Sequence, residues 1–213
     1  MNYRDFLQNI IYWCINPLVK GIVKVGVTPN VITFLGLVFN MLAAVILLYG
    51  GMEHPSELSY VGWAGAVVLF AGLFDMMDGR LARVGGKSST FGALFDSVLD
   101  RYSELVTLFG FFYWLMLSGF IWGSVITFLA LMGSLMVSYV RARAEGLNVE
   151  CKVGLMQRPE RVVLTAVGAL LASWLDGPSF DGALLFIWDM AIIAVLANLT
   201  AIWRIAHCYR MMK

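Results

Sequence analysis

Residues 75–100 read Asp75-Met-Met-Asp78-Gly79-Arg80-Leu-Ala82-Arg83-Val-Gly-Gly-Lys87-Ser-Ser89-Thr-Phe-Gly92-Ala-Leu-Phe-Asp96-Ser-Val-Leu-Asp100. A long apolar stretch lies on each side, Tyr60–Ala82 before and Phe91–Leu117 after, so the segment reads as the polar turn of a helical hairpin. Asp75 and Asp78 stand three residues apart and Asp96 and Asp100 four apart. At helical spacing each pair projects from one face of its arm. A short turn joins the arms, so the two acidic faces can meet.

Working outward, the hairpin is one part of a chain made for lipid. Of 213 residues 60% are hydrophobic and only 14% charged, with a mean hydropathy of +0.80. Soluble domains carry roughly a quarter charged residues. Six stretches reach toward the roughly 20 residues that a helix needs to cross a bilayer: Val31–Tyr49, Tyr60–Ala82, Phe91–Leu117, Phe120–Ala142, Arg161–Leu175 and Ala183–His207, the fifth being the shortest. None alternates as a barrel strand would, and a backbone in lipid must close its own hydrogen bonds, so helices are expected. The expected fold is an all-α integral membrane protein, one domain over 1–213 with a six-helix bundle at 31–207. A net charge of +1 excludes a nucleic-acid binder, which would show a basic excess.

Orientation follows from the basic residues. The loops Gly50–Ser59, Leu117–Gly119 and Asp176–Gly182 contain no Lys or Arg, while all 15 basic residues fall at the N-terminus, the second and fourth loops, the C-terminus or adjoining helix ends. With six spans these regions share a side, and the positive-inside rule makes it the cytoplasm, with both termini there. No cleavable signal peptide is visible. Residues 1–26 are apolar but interrupted by Arg4, Asp5, Pro17, Lys20 and Lys24, with Phe6, Ile10 and Trp13 on one helical face, which predicts an interfacial helix lying along the membrane. Cys14, Cys151 and Cys208 lie far apart and predict isolated reduced thiols. His54 and His207 have no companion ligand and read as structural.

Four carboxylates converging at a membrane boundary would repel one another and lose solvation. Bound cations remove that cost. Oxygen ligands without His or Cys point to Mg²⁺ or Mn²⁺ rather than zinc, and Asp75, Asp78, Asp96 and Asp100 are enough for two ions sharing ligands. The alternative is a salt-bridge network with Arg80, Arg83 and Arg101, but four acids exceed what those need. Gly79 and Ala82 leave a groove beside Asp78. Gly92 lets helices approach, and Arg83 is placed to meet a phosphate.

The pattern Asp-x2-Asp-Gly-x2-Ala-Arg-x8-Gly-x3-Asp-x3-Asp resembles the signature of the CDP-alcohol phosphotransferase family at every fixed position. The likeness extends to the six spans, the N-terminal helix and Thr28-Pro29-Asn30-Val31-Ile32-Thr33 ahead of the first span. It implies transfer of a substituted phosphate from a CDP-linked donor to an alcohol, with release of CMP. By the same resemblance the four aspartates hold two metal ions and Asp100 also takes the proton from the attacking hydroxyl. Pro29, Asn30, Val31, Ile32, Gly79, Ala82, Arg83 and Ser89 would contact CDP-diacylglycerol. The resemblance also implies a homodimer, in a bacterial or archaeal cell membrane.

The acceptor is read from a second constellation. Ser138-Tyr-Val-Arg141-Ala-Arg143-Ala-Glu145 ends the fourth span, Arg158-Pro159-Glu160-Arg161 opens the fifth, and Trp203-Arg204 lies near the end of the sixth. Three helices thus bring arginines to the depth of the carboxylates. Such a cluster either fixes topology against anionic lipid or binds a phosphorylated acceptor. These segments resemble the phosphatidylinositol phosphate synthase branch, in which the positions matching Ser138, Arg141, Arg161 and Arg204 surround the acceptor phosphate. The chain departs from it in carrying Arg141 where Lys is frequent, and in a shorter 151–157 loop. Inositol 1-phosphate is the first expectation, glycerol 3-phosphate the second, and free inositol or serine the third. A divalent-cation transporter would place its acids near the midplane on broken helices, which this pattern does not.

Overall fold

The computed structural model describes residues 15–19, 21–23 and 25–213, of which the long elements are six α-helices. They are α1 (Pro29–Glu53), α2 (Ser59–Val84), α3 (Thr90–Leu117), α4 (Ile121–Glu145), α5 (Arg158–Leu175) and α6 (Gly182–Met211). Each corresponds to one expected span and overruns it at one end or both. The expected interfacial helix falls largely on residues 1–14, which lie outside the described part. Residues 15–19 and 21–23 are helical, and Ile15 and Val19 are buried against Ile32, Met77 and Leu81. That contact seats the N-terminal segment on α1 and α2.

The helix ends are written in local chemistry. Pro29 opens α1 behind the extended Thr28, a position where the missing N–H costs nothing. The chain leaves α2 through Gly85, whose N–H bonds the Leu81 carbonyl, and Gly86 at φ +60°, a left-handed conformation that glycine adopts without strain. Ser89 then caps α3 by accepting from the Gly92 N–H at 3.0 Å. Gln157 and Glu160 form a reciprocal capping box at the start of α5, with Pro159 in its first turn, and the Asp181 carboxylate accepts from Leu184 N–H at the start of α6. Both site-bearing turns, between α2 and α3 and ahead of α5, are therefore locally defined.

Packing runs α1 against α2 and α3, α2 against α5, α4 against α3 and α6, and α5 against α6. One core of Leu47, Val61, Phe111, Trp114, Phe186 and Met190 is interleaved with alanines, and the Phe111 and Phe186 rings lie 4.7 Å apart. Lipid tails supply no hydrophobic drive to bring helices together, so close backbone approach and interhelical hydrogen bonds must do it. A Cβ on Gly110 would sit 2.9 Å from Ala44 Cα, and one on Gly65 would sit 2.8 Å from the Ala166 carbonyl oxygen. Thr107 Oγ1 donates to Asn40 Oδ1 at 2.9 Å between α3 and α1, and Asn198 Nδ2 donates to the Leu129 carbonyl at 3.0 Å between α6 and α4.

Among the described residues four helices, α1, α2, α4 and α6, are long and apolar enough to cross a membrane by length and composition. The other two, α3 and α5, are more charged: Asp96, Asp100, Arg101 and Glu104 lie on one, Arg158, Glu160 and Arg161 on the other. The protein is all-helical and integral to the membrane.

Two glycine substitutions separate packing from helix propensity. Gly110→Leu should destabilise the detergent-solubilised protein by about 1–3 kcal/mol, because the new side chain drives into the α1 backbone. Gly72, where an added Cβ would meet nothing within 4 Å, should accept alanine with no loss and up to ~1 kcal/mol of gain. Thermal unfolding of both variants checks this; similar midpoints would show that the α1–α3 contact is not limiting.

Candidate active site

The hairpin turn brings the expected acids together at one end of the bundle. Asp75, Asp78 and Asp96 each offer an oxygen within 4.8 Å of the others. Asp78 is the most buried, 4% exposed. The Thr33 hydroxyl, on α1, donates to Asp78 Oδ2 at 2.6 Å and so fixes the orientation of that carboxylate. Asp96 Oδ1 is buried without a hydrogen-bond partner. A buried carboxylate oxygen left without a donor is costly. An orphaned oxygen beside two more carboxylates, with no nitrogen or sulfur in the set, fits a hard divalent cation.

Asp100, the fourth expected ligand, lies beside Asp75 at the edge of this trio. Its Oδ2 pairs with Arg158 Nη1 at 2.7 Å, and the same nitrogen reaches both oxygens of Asp75 at 3.1 Å. Arg158 thus spans the acidic cluster from the first turn of α5. Arg101 instead turns back onto the Ser97 carbonyl and hydroxyl of its own helix. Arg80 Nε donates to Asn16 Oδ1 at 3.1 Å, tying the N-terminal segment to α2.

The expected donor-site residues gather on the same flank. Arg83 is exposed and its Nε donates to the Gly79 carbonyl at 3.0 Å. A Cβ on Gly92 would lie 3.0 Å from Ser89 Oγ and 3.4 Å from Asn30 Oδ1, so the opening of α1 and the cap of α3 adjoin. Pro29 and Asn30 are half-buried beside them, as are Gly79 and Ala82. Val31 points outward at 48% exposure, while Ile32 turns inward to the cluster with Met77 and Leu81. Ser89 is already engaged as a helix cap, so its hydroxyl serves the fold as well as any ligand.

The expected acceptor residues divide by environment. Arg161 is buried, and its fork closes on Glu104 through Nε at 2.6 Å and Nη2 at 2.9 Å, while Nη1 donates to the Met156 carbonyl at 3.2 Å. Arg204 is buried too, donating through Nε to the Val153 carbonyl at 2.8 Å and through Nη1 to the Val137 carbonyl at 2.5 Å. Arg141 is half-buried and pairs with Glu145 at 2.9 Å one turn on. Ser138 is half-buried on the same helix. Arg141 and Arg161 lie close enough to Arg204 to repel it. Three guanidiniums from α4, α5 and α6 therefore share one electrostatic neighbourhood.

Sequence reasoning left three site residues unassigned. Thr33 stood in the Pro-Asn segment and Arg158 in the Arg-Pro-Glu-Arg run. Glu104 continues the face of Asp96 and Asp100 by one more turn, and that periodicity was its signal. Of the expected isolated, reduced thiols, Cys14 lies outside the described residues, and Cys151 and Cys208 are free but not isolated: both are buried and their side chains meet in a small cluster with Ala144.

The chain is similar to known proteins in sequence and fold. A family model described as CDP-alcohol phosphatidyltransferase matches residues 26–204. The phosphatidylinositol phosphate synthase of Mycobacteroides abscessus is 33% identical over 161 residues, which cover 74% of this chain and 68% of that protein. A crystal structure of the phosphatidylinositol phosphate synthase of Mycobacterium tuberculosis with CDP-DAG bound is similar at a TM-score of 0.79 and 29% identity, covering 91% of this chain and 92% of that one. The same protein in complex with manganese and citrate is similar at 0.77, covering 91% and 88%. The acidic hairpin, its helical frame and the match over most of its length make this chain a member of the CDP-alcohol phosphatidyltransferase family, a membrane phosphatidyltransferase.

Proposed function

We propose that the chain transfers the phosphatidyl group of CDP-diacylglycerol to inositol 1-phosphate, giving phosphatidylinositol phosphate and CMP. The observation that carries this reading is the first turn of α5. Arg158 there touches the acids that would face the donor's pyrophosphate, and Arg161 belongs to the arginine group that would face the acceptor's phosphate. One turn of helix spans the distance between the two substrates' charged ends. The synthase names of the similar proteins agree with this assignment.

Asp75, Asp78 and Asp96, with Asp100 once Arg158 withdraws, would hold two divalent ions, Mg²⁺ or Mn²⁺. When bound, such ions would neutralise the pyrophosphate and stabilise charge developing on the departing CMP. Asn30, Gly79, Ala82, Arg83 and Ser89, with Pro29, Val31 and Ile32 at the start of α1, would cradle the donor. The acceptor oxygen would form a new bond to the phosphorus that bears the diacylglycerol, the bond from that phosphorus to the CMP oxygen would break, and the hydroxyl proton would pass to an Asp100 carboxylate oxygen. Ser138, Arg141, Arg161 and Arg204 would bind the acceptor phosphate, whose charge would relieve the repulsion among the guanidiniums. Arg161 would do so while anchored by Glu104.

We further propose six membrane spans over 31–207 in a single domain, with the site and both termini cytoplasmic and two copies paired as a homodimer. Val163, Val167, Leu171 and Trp174 give α5 an exposed apolar stripe at four- and three-residue steps, as a lipid-facing helix requires. The absence of basic residues from the opposite loops supports the orientation.

Asp96→Asn should abolish CMP release while the protein stays folded in detergent. Thr33→Val, which removes the 2.6 Å bond to Asp78, should lower turnover through weaker manganese binding, read by calorimetry; full activity and affinity in either variant would overturn the metal assignment. Replacing Arg141 or Arg204 with Gln should raise the KM for inositol phosphate about ten- to a hundredfold, the loss of a charge-assisted contact of roughly 1.5–3 kcal/mol, with the donor's KM little changed. Equal use of inositol phosphate and free inositol by the wild type would reject the phosphate pocket, and preference for glycerol 3-phosphate would reassign it. Arg161→Met, by contrast, should destabilise the protein by about 3–5 kcal/mol in thermal unfolding, because it strands Glu104 in the interior.

A further inference from the structure

Cys151 and Cys208 come from opposite ends of the acceptor region. Cys151 lies in the irregular segment between α4 and α5 and Cys208 in the last turns of α6. Cys151 is fully buried and Cys208 only 8% exposed, and the two side chains meet in a cluster closed by Ala144, Val149 and Val153. The segment that carries Cys151 is seated directly on the arginines. Val153, two residues on, gives its carbonyl to Arg204, and Met156 gives its carbonyl to Arg161. Gly154, at φ +133°, presses against Thr200 and the Arg204 guanidinium so closely that a Cβ would collide with Thr200. His207, beside Cys208, also meets the Glu150 carbonyl at 3.2 Å. The thiol pair therefore sits where the segment is fastened to α6.

We propose that Cys151 and Cys208 form a redox-active dithiol, whose closure to a disulfide staples this segment over the acceptor site and lowers affinity for the phosphorylated alcohol. The second half of this proposal rests on the acceptor reading above; the first half does not. A low-molecular-weight disulfide RSSR is the oxidant. One cysteine thiolate attacks it, releasing RS⁻ and forming a mixed disulfide. The second cysteine thiolate then displaces the other RS⁻, so two cysteine thiols and RSSR become one protein disulfide and two RSH. Burial holds the Cys151 thiol above its ordinary pKa, opposed by the nearby Arg204 and Arg141 guanidiniums, so attack awaits local opening of the segment. That opening breaks the Glu150 and Val153 carbonyl contacts but no helix, since residues 149–154 have no regular structure. Affinity falls because an acceptor phosphate must take Arg204 Nε from the Val153 carbonyl, and the staple holds that carbonyl in place.

The purified protein, treated with oxidised glutathione, alkylated and digested without reduction, should yield a Cys151–Cys208 linked peptide that dithiothreitol abolishes. Two separately alkylated or glutathionylated peptides would overturn the dithiol, whatever the acceptor is. Oxidation should raise the KM for inositol phosphate roughly tenfold, about what one retained competing bond to a charged group is worth, and leave the donor's KM unchanged. Cys151→Ala and Cys208→Ala should each keep the reduced enzyme's KM and lose the response. A linked peptide with no change in KM would overturn the coupling to the acceptor site. A reduced wild type that does not distinguish inositol phosphate from free inositol would refute the acceptor reading and with it the coupling, while the peptide map still decides the dithiol.

Discussion

Everything in this molecule is arranged around the cost of placing like charges at the end of an apolar bundle. Asp75, Asp78 and Asp96 are held within 4.8 Å of one another, partly shielded from water, at a distance where mutual repulsion is large unless the dielectric is high. The fold answers with cations and donors taken from distant parts of the chain. Thr33 donates from α1, and Arg158 reaches in from α5 to bridge Asp75 and Asp100. A divalent ion held by Asp75, Asp78 and Asp96 would answer the same need.

The arginines obey a related rule with opposite sign. Arg161 and Arg204 are too buried to remain without partners, and each is satisfied within the protein, one by a carboxylate and one by backbone carbonyls. The bond to Glu104 makes Arg161 a structural strut between α3 and α5, since breaking a buried pair on one side costs far more than the pair contributes when intact. Arg204, held only by carbonyls that water or a ligand can replace, and the half-buried Arg141 are the members with donors to lend. Three arginines that look equivalent in sequence thus differ in what they can do.

The loop between α4 and α5 links these two systems. Its carbonyls hold the buried arginines, its cysteine meets α6, and it delivers the chain into the capping box that starts α5 and aims Arg158. Small changes in this segment should therefore be felt at Arg158 as well as at Arg161 and Arg204, because its backbone is the common partner.

Much of this was legible in the sequence for local reasons. Hydropathy defines the helices because lipid forces each span to close its own hydrogen bonds. The spacing of Asp75, Asp78, Asp96 and Asp100 defines two acidic faces because helical periodicity depends on nothing distant. The bias of basic residues toward alternate loops is likewise written in order along the chain. Only the tertiary structure could decide that Arg158 bridges Asp75 and Asp100, that Arg161 is spent on Glu104, and that Cys151 and Cys208 share one cluster. Each depends on which faces of α3, α5 and α6 meet, and that register is set by close approaches such as Gly65 to Ala166 and Gly110 to Ala44. A pattern repeating within one helix carries no record of its partner's rotation, so residues that find each other across the bundle are determined by packing and not by spacing.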